Sequence, residues 1–326
     1  MMKQVLGMGN ALVDIMTRLE NDALLDQLSL PKGSMQLVDK ETSTNILEKS
    51  SGLQKQQTSG GSAANTINGL SKMGINAGFI GKVGNDSFGK FFGDNMKSNN
   101  IEPLLFKGIA ESGRAIALVS PNSERTFATF LGAAIELSAD DLSEELFKEY
   151  KYFHIEGYLV QNHDLLRKAV ILAKQQNLIV SLDMASYNVV EVNIDFLKNL
   201  VKEYVDIVFA NEEEAKAFTG KEPEEALNII ANNCEIAVVK IGSKGSLIKK
   251  GNEIHKIGVI NADCVDTTGA GDLYAAGFIF GLINNLPLNK CGEIGSILSG
   301  NVIEVIGANM DEDRWMEIHK MVKNIL

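Results

Sequence analysis

The residues best suited to chemistry lie in Asp266-Thr267-Thr268-Gly269-Ala270-Gly271-Asp272. An apolar, strand-like run from Lys256 to Val265 precedes them, and a helix-like run, Leu273-Tyr274-Ala275-Ala276-Gly277-Phe278, follows. Two glycines and an aspartate therefore sit at a strand-to-helix junction. The first turn of a helix has N–H groups without intrahelical partners, and the helix dipole favours negative charge there. The N–H groups of Gly269, Ala270 and Gly271 would form an anion hole, since glycine lets a phosphate oxygen come close. Asp272 would stand beside that anion, where like charges repel. Its presence makes sense if it orients and finally deprotonates a hydroxyl that attacks phosphorus. The plainer reading is a helix capped by Thr267 or Thr268, with an acid complementing the dipole.

Other stretches offer binding groups, each with an ordinary explanation beside it. Ser59-Gly60-Gly61-Ser62-Ala63-Ala64-Asn65-Thr66 opens a helix that runs through Ile67, Leu70 and Met73 and ends at Gly74. The two glycines would bring backbone close to a ligand, and Asn65 offers the donor and acceptor that a sugar hydroxyl needs. Tight helix packing through Ala63 and Ala64 explains the same residues. Asp14 ends an early strand, where open α/β sheets present their binding crevice; a solvated turn acid is as good a reading. Asn211 and Glu214 follow a strand at a spacing that shares a helix face. They could organise hydrated Mg²⁺, or form an N-cap with its capping box. Lys240-Ile241-Gly242-Ser243-Lys244-Gly245-Ser246 could wrap a nucleotide or turn a hairpin into Leu247-Ile248.

The elements that must position these groups read as α/β. Val5 to Ile15 is a broken strand, Ala77 to Gly84 a core strand and Asp86 to Met96 a helix. From Tyr150 onwards, apolar strands at Phe153, Ile179, Ile207 and Ile236 alternate with helical stretches. That pattern argues for a parallel sheet covered on both faces. The segment Glu102 to Phe130 differs. Leu104-Leu105-Phe106, Arg114 to Val119 and Arg125 to Phe130 read as successive strands without a helix. They predict a small sheet off the main body, joined by Ala11 to Leu19 and Met35 to Val38. The expected organisation is one domain over 1–326, with a lid from about 11–40 and 102–131.

Bulk properties narrow the function. The 326 residues are 45% hydrophobic and carry a net charge of −11. That balance argues against a nucleic-acid surface. No apolar stretch approaches a membrane span of roughly 20 residues. Cys234, Cys264 and Cys291 are too few and too scattered for a disulfide framework. His154, His163, His255 and His319 form no metal pair. The start of the chain lacks the apolar core of a signal peptide. A cytoplasmic protein is expected.

In this order, Gly9-Asn10…Asp14, Gly60-Gly61…Asn65, Asn211-x-x-Glu214, Gly242…Gly245 and Asp266-Thr267-Thr268-Gly269-Ala270-Gly271-Asp272 resemble the ribokinase-like (PfkB-type) family of sugar and nucleoside kinases. The resemblance spans nearly the whole chain. It implies a three-layer α/β/α body with a mostly parallel sheet and a small β lid, and ATP-dependent phosphorylation of a primary hydroxyl. It makes Asp272 the base and Gly269 to Gly271 the anion hole. Asp14, Gly60, Gly61 and Asn65 would hold ribose-type hydroxyls. Asn211, Lys240, Gly242, Ser243 and Gly245 would serve ATP, and Glu214 would hold Mg²⁺ through water. In some members the positions of Asp266 and Thr268 hold a monovalent cation, so K⁺ is a candidate beside ATP and Mg²⁺.

Gly9 to Asp14, Ser59 to Thr66 and Glu124-Arg125-Thr126…Phe130-Leu131-Gly132-Ala133 are most similar to adenosine-kinase-like bacterial members. Phe127 and Phe130, joined by Leu37, could sandwich a purine, or could be the lid's own core. The expected partner is a small nucleoside or sugar, with no nucleic acid or membrane, in a monomer or a homodimer formed through the lid. A ribokinase or fructokinase acting on a free sugar is the alternative enzyme. A non-catalytic sugar- or nucleoside-binding regulator is the alternative of another class. A dinucleotide-binding oxidoreductase fits less well, because Gly7-x-Gly9 lacks a third glycine at the expected spacing.

Overall fold

Apolar runs such as Ile207-Val208-Phe209-Ala210 are buried along their length, and their successive side chains enter two different cores. A strand buried on both faces needs helices on both sides, and the chain supplies them. The computed structural model describes residues 3–122 and 124–326. In chain order its strands are β1 (Val5–Met8), β2 (Leu12–Arg18), β3 (Met35–Leu37), β4 (Lys55–Gly60), β5 (Ala77–Val83), β6 (Ile101–Lys107) and β7 (Gly113–Val119). There follow β8 (Arg125–Phe130), β9 (Tyr152–Glu156), β10 (Ile179–Asp183), β11 (Ile207–Asn211), β12 (Ile236–Lys240), β13 (Ser246–Lys250) and β14 (Glu253–Ile257).

The large sheet has the order β14-β13-β12-β11-β10-β9-β1-β5-β6. It is parallel from β12 to β6 and ends in two antiparallel strands, β13 and β14. One face packs against helices Ser62–Lys72, Ala270–Ile283, Leu288–Val302 and Glu312–Lys323; the other carries His163–Gln175, Ile194–Tyr204, Glu212–Thr219 and Pro223–Ala231. This is the α/β/α body that the sequence predicts.

The small sheet, β3-β8-β7-β2-β4, is the predicted lid. Val13, Ile15, Ile116, Leu118 and Ala128 fill one of its faces and pack with Ile46 of helix Lys40–Lys49. Two boundaries differ from expectation. Leu104-Leu105-Phe106 lies in β6, which pairs in parallel with β5 at the edge of the large sheet. Helix Ser87–Ser98 connects β5 to β6, so this strand closes an ordinary βαβ unit. Lys55–Gly60 is instead the lid strand that the boundaries omit, antiparallel to β2. The run from Lys256 to Val265 is strand only to Ile257; beyond it, the N–H groups of Val265 and Asp266 bond the Ile303 carbonyl at the end of a helix.

Among the described residues no helix is long and apolar enough to cross a membrane.

Candidate active site

Adjacent parallel strands all end on one edge of the large sheet, and the residues there form a row. Lys240 ends β12, Asn211 ends β11, Asp183 ends β10 and Glu156 ends β9, while Asn10 follows β1. Register pairs Asn211 with Lys240 and Asp183 with Glu156. Carboxyl ends of parallel strands are where open α/β sheets bind ligands.

Two helix N-termini converge on this edge. Helix Ser62–Lys72 begins after Gly61, and helix Ala270–Ile283 after Gly269, both glycines having positive φ (101° and 76°). Gly69 lets the two helices approach closely, since a Cβ there would lie 2.8 Å from Leu273 and 2.9 Å from Ala276. The approach brings Asp272 to Ser62 and Asn65. Ser62 Oγ donates to Asp272 Oδ1 at 2.7 Å, and Asn65 Nδ2 donates to Oδ2 at 2.9 Å. Burial and the Asp183 carboxylate raise the Asp272 pKa to about 6, while Asn65, Ser62 and Lys240 act in the opposite direction.

The turn before Asp272 offers two free donors rather than the expected three. Ala270 N–H donates to the Thr267 carbonyl within the turn. Those of Gly269 and Gly271 have no partner among the described residues. A Cβ on Gly271 would lie 2.9 Å from Lys240 Nζ, so that ammonium stands beside the turn. Lys240 also pairs with Asp183 at 2.9 Å. Burial opposes its charge, yet Asp183, Glu214 and Asp272 more than offset this and hold its pKa above the ordinary lysine value.

Asp14 comes from the lid. Gly60 leaves room for it, because a Cβ on Gly60 would lie 2.2 Å from the Asp14 carboxylate. Burial and the Asp272 carboxylate raise its pKa to about 7. Asp14, Gly60, Gly61, Asn65, Gly269, Gly271, Asp272 and Lys240 are thus gathered at one place.

Other predicted residues have different surroundings. Asn211 and Glu214 form the capping box: Asn211 N–H and Nδ2 donate to the two carboxylate oxygens of Glu214 at 2.8 and 2.6 Å, and Glu214 N–H donates to Asn211 Oδ1 at 2.9 Å. Burial and Asp183 push the Glu214 pKa upward. Gly242, Ser243 and Gly245 belong to a tight turn joining β12 to β13. Gly245 is required there, as a Cβ would lie 1.8 Å from the Ile257 carbonyl oxygen.

Phe127 and Phe130 lie three apart in β8, so they point to opposite faces of the lid. Phe130 belongs to the covered face, under the buried Arg114 guanidinium at 4.9 Å. It is half-buried against Arg114, on the face turned away from Asp14, which corrects its expected place beside substrate. Phe127 shares the body-facing side with Asp14 and Thr129. Met35 and Leu37 pair with Phe127 and Thr129, are about 70% exposed and lie on that same face.

The sequence motifs assign no role to Ser62, Glu156 or Asp183 and give no sign of the contacts of Arg125. Glu156 accepts from Asn10 N–H (2.9 Å), Asn10 Nδ2 (2.7 Å) and Ala63 N–H (3.0 Å), fixing the start of the Asn65 helix. Burial raises its pKa to about 7 despite these donors, with Asp272 adding to the rise. Lone acids at strand ends carry no local motif; only their alternation with helices signals them.

Asp266 does not present free oxygens. Its Oδ1 accepts from Thr268 N–H and its Oδ2 from Gly307 N–H, both at 2.6 Å. The Arg125 guanidinium pairs with the same carboxylate and donates to Thr268 Oγ1. Among the described residues, no three His, Cys, Asp or Glu side chains gather to hold a metal ion.

An α/β body whose strand ends carry paired acids, a lysine and two helix N-termini beneath a β lid has the form of a small-molecule kinase. The chain belongs to the pfkB family carbohydrate kinases, whose family profile matches residues 34–314. The crystal structure of a probable sugar kinase from Rhizobium etli CFN 42 is 31% identical, with a TM-score of 0.87 over 100% of both chains. An adenosine kinase from Sinorhizobium meliloti is 30% identical, with a TM-score of 0.86 over 98% of this chain and 100% of that one. A 5-dehydro-2-deoxygluconokinase from Geobacillus kaustophilus is 30% identical over 265 residues, 75% of this chain and 78% of the relative. The chain is an ATP-dependent sugar or nucleoside kinase.

Proposed function

We propose that this kinase phosphorylates the primary hydroxyl of a ribose-containing acceptor, with adenosine or a related nucleoside preferred. The observation that carries the preference is the lid's body-facing side. Met35, Leu37 and Phe127 present apolar surface at one end of that face, and Asp14 forms its polar end across Ala115 and Ala117 of β7. A nucleoside has this division: a flat base to cover and a sugar to hydrogen-bond. A free sugar would leave the three apolar side chains uncovered.

In this reading Asp14 and Asn65 hold sugar hydroxyls in the space left by Gly60 and Gly61. Asp272, held by Ser62 and Asn65, aligns the reacting hydroxyl and takes its proton as the bond to phosphorus forms. Gly269 and Gly271 N–H groups and the Lys240 ammonium receive the phosphoryl charge that builds up beside them. The lid excludes water, so that the phosphoryl group goes to the acceptor. Asn211 and the turn Gly242-Ser243-Lys244-Gly245 border the nucleotide.

Glu214 and Asp183 have their oxygens engaged, so they would hold Mg²⁺ through water, a mode that suits this ion. Bound with the nucleotide, Mg²⁺ neutralises phosphate charge.

A second reading, a ribokinase or fructokinase with a free sugar as acceptor, draws on the polar cleft beside Asn65. Thr58, Ser59, Asn68, Lys72, Asn95 and Asn309 line it. ADP release with MgATP over adenosine, inosine, ribose, fructose and 2-keto-3-deoxygluconate separates the two, with Asp272→Asn as control. Turnover confined to nucleosides is expected. Turnover only on a free sugar overturns the nucleoside preference and keeps the mechanism. Acceptor binding without any turnover favours a binding regulator.

A further inference from the structure

We propose that Arg125 is a built-in cation: its guanidinium occupies the Asp266–Thr268 position where K⁺ is expected, ties the lid to the anion-binding turn, and removes any need for a monovalent ion. This inference rests on the kinase reading of the turn 269–271.

The donor set around Asp266 does not fit an added ion. Two backbone N–H groups, from Thr268 and Gly307, already take one hydrogen bond on each carboxylate oxygen. The remaining partner is Arg125, which reaches the Asp266 carboxylate and Thr268 Oγ1 together. The Asp266 side chain has no exposed surface and that of Arg125 only 15%. A K⁺ ion at these oxygens would place a second cation against one buried carboxylate, or would have to expel the guanidinium. Arginine keeps its charge at every working pH, and one guanidinium nitrogen carries two N–H donors, so Nη1 alone serves both the Asp266 carboxylate and the Thr268 hydroxyl. A cation carried on the chain needs no free ion in solution, so the site is filled at any salt composition.

The pairing also joins parts that must move together. Arg125 begins β8, two residues before Phe127, and its guanidinium lies over that ring at 5.4 Å. Asp266 and Thr268 open the turn whose Gly269 and Gly271 N–H groups face the phosphoryl site. The lid is therefore fixed to the anion-binding turn through a charge buried between them. Met16, on the same lid face, approaches Gly307 to within 4 Å of where a Cβ would be, so the neighbouring contact reinforces the join. Arg125 acts through Asp266 and Thr268 and is a positioning residue.

The test compares K⁺ with tetramethylammonium at the same ionic strength of about 0.1 M, which keeps general screening equal. For the wild-type chain, neither the melting temperature nor kcat should differ between the two cations. The melting temperature needs no turnover, so the inference can fail or stand separately from the choice of acceptor. Arg125→Ala should lower kcat by about 10–100-fold through misplacement of the turn, with a smaller change in the acceptor KM. In that variant K⁺, but not tetramethylammonium, should raise both melting temperature and kcat. Arg125→Lys keeps the charge, should fold if Arg125→Ala does not, and should stay insensitive to K⁺. A wild-type chain that K⁺ stabilises or activates overturns the inference. So does an Arg125→Ala variant with wild-type kcat, or an Arg125→Lys variant that requires K⁺.

Discussion

Asn65 and Asp272 stand 207 residues apart in the chain and meet in a 2.9 Å hydrogen bond that ties the first turns of two packed helices together. Ser62 completes the arrangement on the other carboxylate oxygen. The pair holds an acid at the mouth of a helix dipole, in a place that penalises its ionised form.

Asp272→Asn should therefore separate catalysis from stability. Loss of the proton acceptor should lower kcat by about 10²–10⁴-fold, with acceptor binding retained. Stability should move the other way. The folded-state pKa of about 6 lies above the ordinary 3.8, so the stability linked to this group is fully present below 3.8 and is lost as pH rises through about 6. At pH 7.5 the ionised group costs of order 1–3 kcal/mol, which a neutral amide avoids. Urea unfolding at pH 7.5 should give a higher midpoint for the variant. A fully active Asp272→Asn enzyme would exclude the assigned role.

The same pKa shift predicts the pH profile. kcat/KM should be level at alkaline pH and fall as pH drops through the 6–7 window, where Asp272 and Asp14 take up protons as an interacting pair. Ser62→Ala removes a hydrogen bond that favours the Asp272 carboxylate, so its acid limb should move to higher pH. An acid limb near the unperturbed aspartate value of about 3.9 would show that no buried acid controls the rate.

Phe127 and Phe130 should respond oppositely to truncation, because the strand sends them to opposite faces of the lid. Phe127→Ala should raise the KM for a nucleoside and leave the unfolding midpoint nearly unchanged. Phe130→Ala removes the ring beneath Arg114 and should destabilise the chain by about 2–3 kcal/mol, below the range for a fully buried phenylalanine because Phe130 is only half-buried. Substrate titrations and urea melts on both variants distinguish these outcomes. Equal effects would mean that the face assignment is wrong.

What the sequence reveals follows from how local each signal is. Asp266 to Asp272 is legible because a strand end, a glycine turn and a helix start are consecutive, and the alternation after Tyr150 makes the body legible in the same way. The lid is legible as a strand cluster, but not its edges. Leu104-Leu105-Phe106 has the composition of a lid strand, and only its pairing with β5 assigns it to the body. Helix Lys40–Lys49 is mostly polar, with Ile46 and Leu47 as its aliphatic contacts, so periodicity gives little sign of it. Phe130 is misplaced for another reason. A residue type suited to stacking on a base is equally suited to stacking on Arg114, and strand parity decides between them. The engagement of Asp266 by Arg125 joins distant segments, and nothing in either segment announces it.

Gly61 and Gly74 offer a paired test of how closely the site is built. Both have positive φ, at 101° and 83°, so alanine at either position strains the backbone. They differ in their surroundings. A Cβ on Gly74 would meet nothing within 4 Å among the described residues, whereas one on Gly61 would lie 2.2 Å from the Asn10 carbonyl oxygen. Asn10 is in turn bound through its N–H and Nδ2 to Glu156, which also accepts from Ala63 N–H. A displaced Asn10 would thus disturb the start of the helix that carries Ser62 and Asn65. Gly74→Ala should cost about 1–2 kcal/mol from backbone strain alone and leave kcat/KM unchanged. Gly61→Ala should cost of order 2–4 kcal/mol and lower kcat/KM by at least about 10²-fold, because Asp272 loses its two donors. Unfolding and steady-state kinetics on the two variants make the comparison. If Gly61→Ala keeps full activity, the first turn of this helix does not control the position of Asp272.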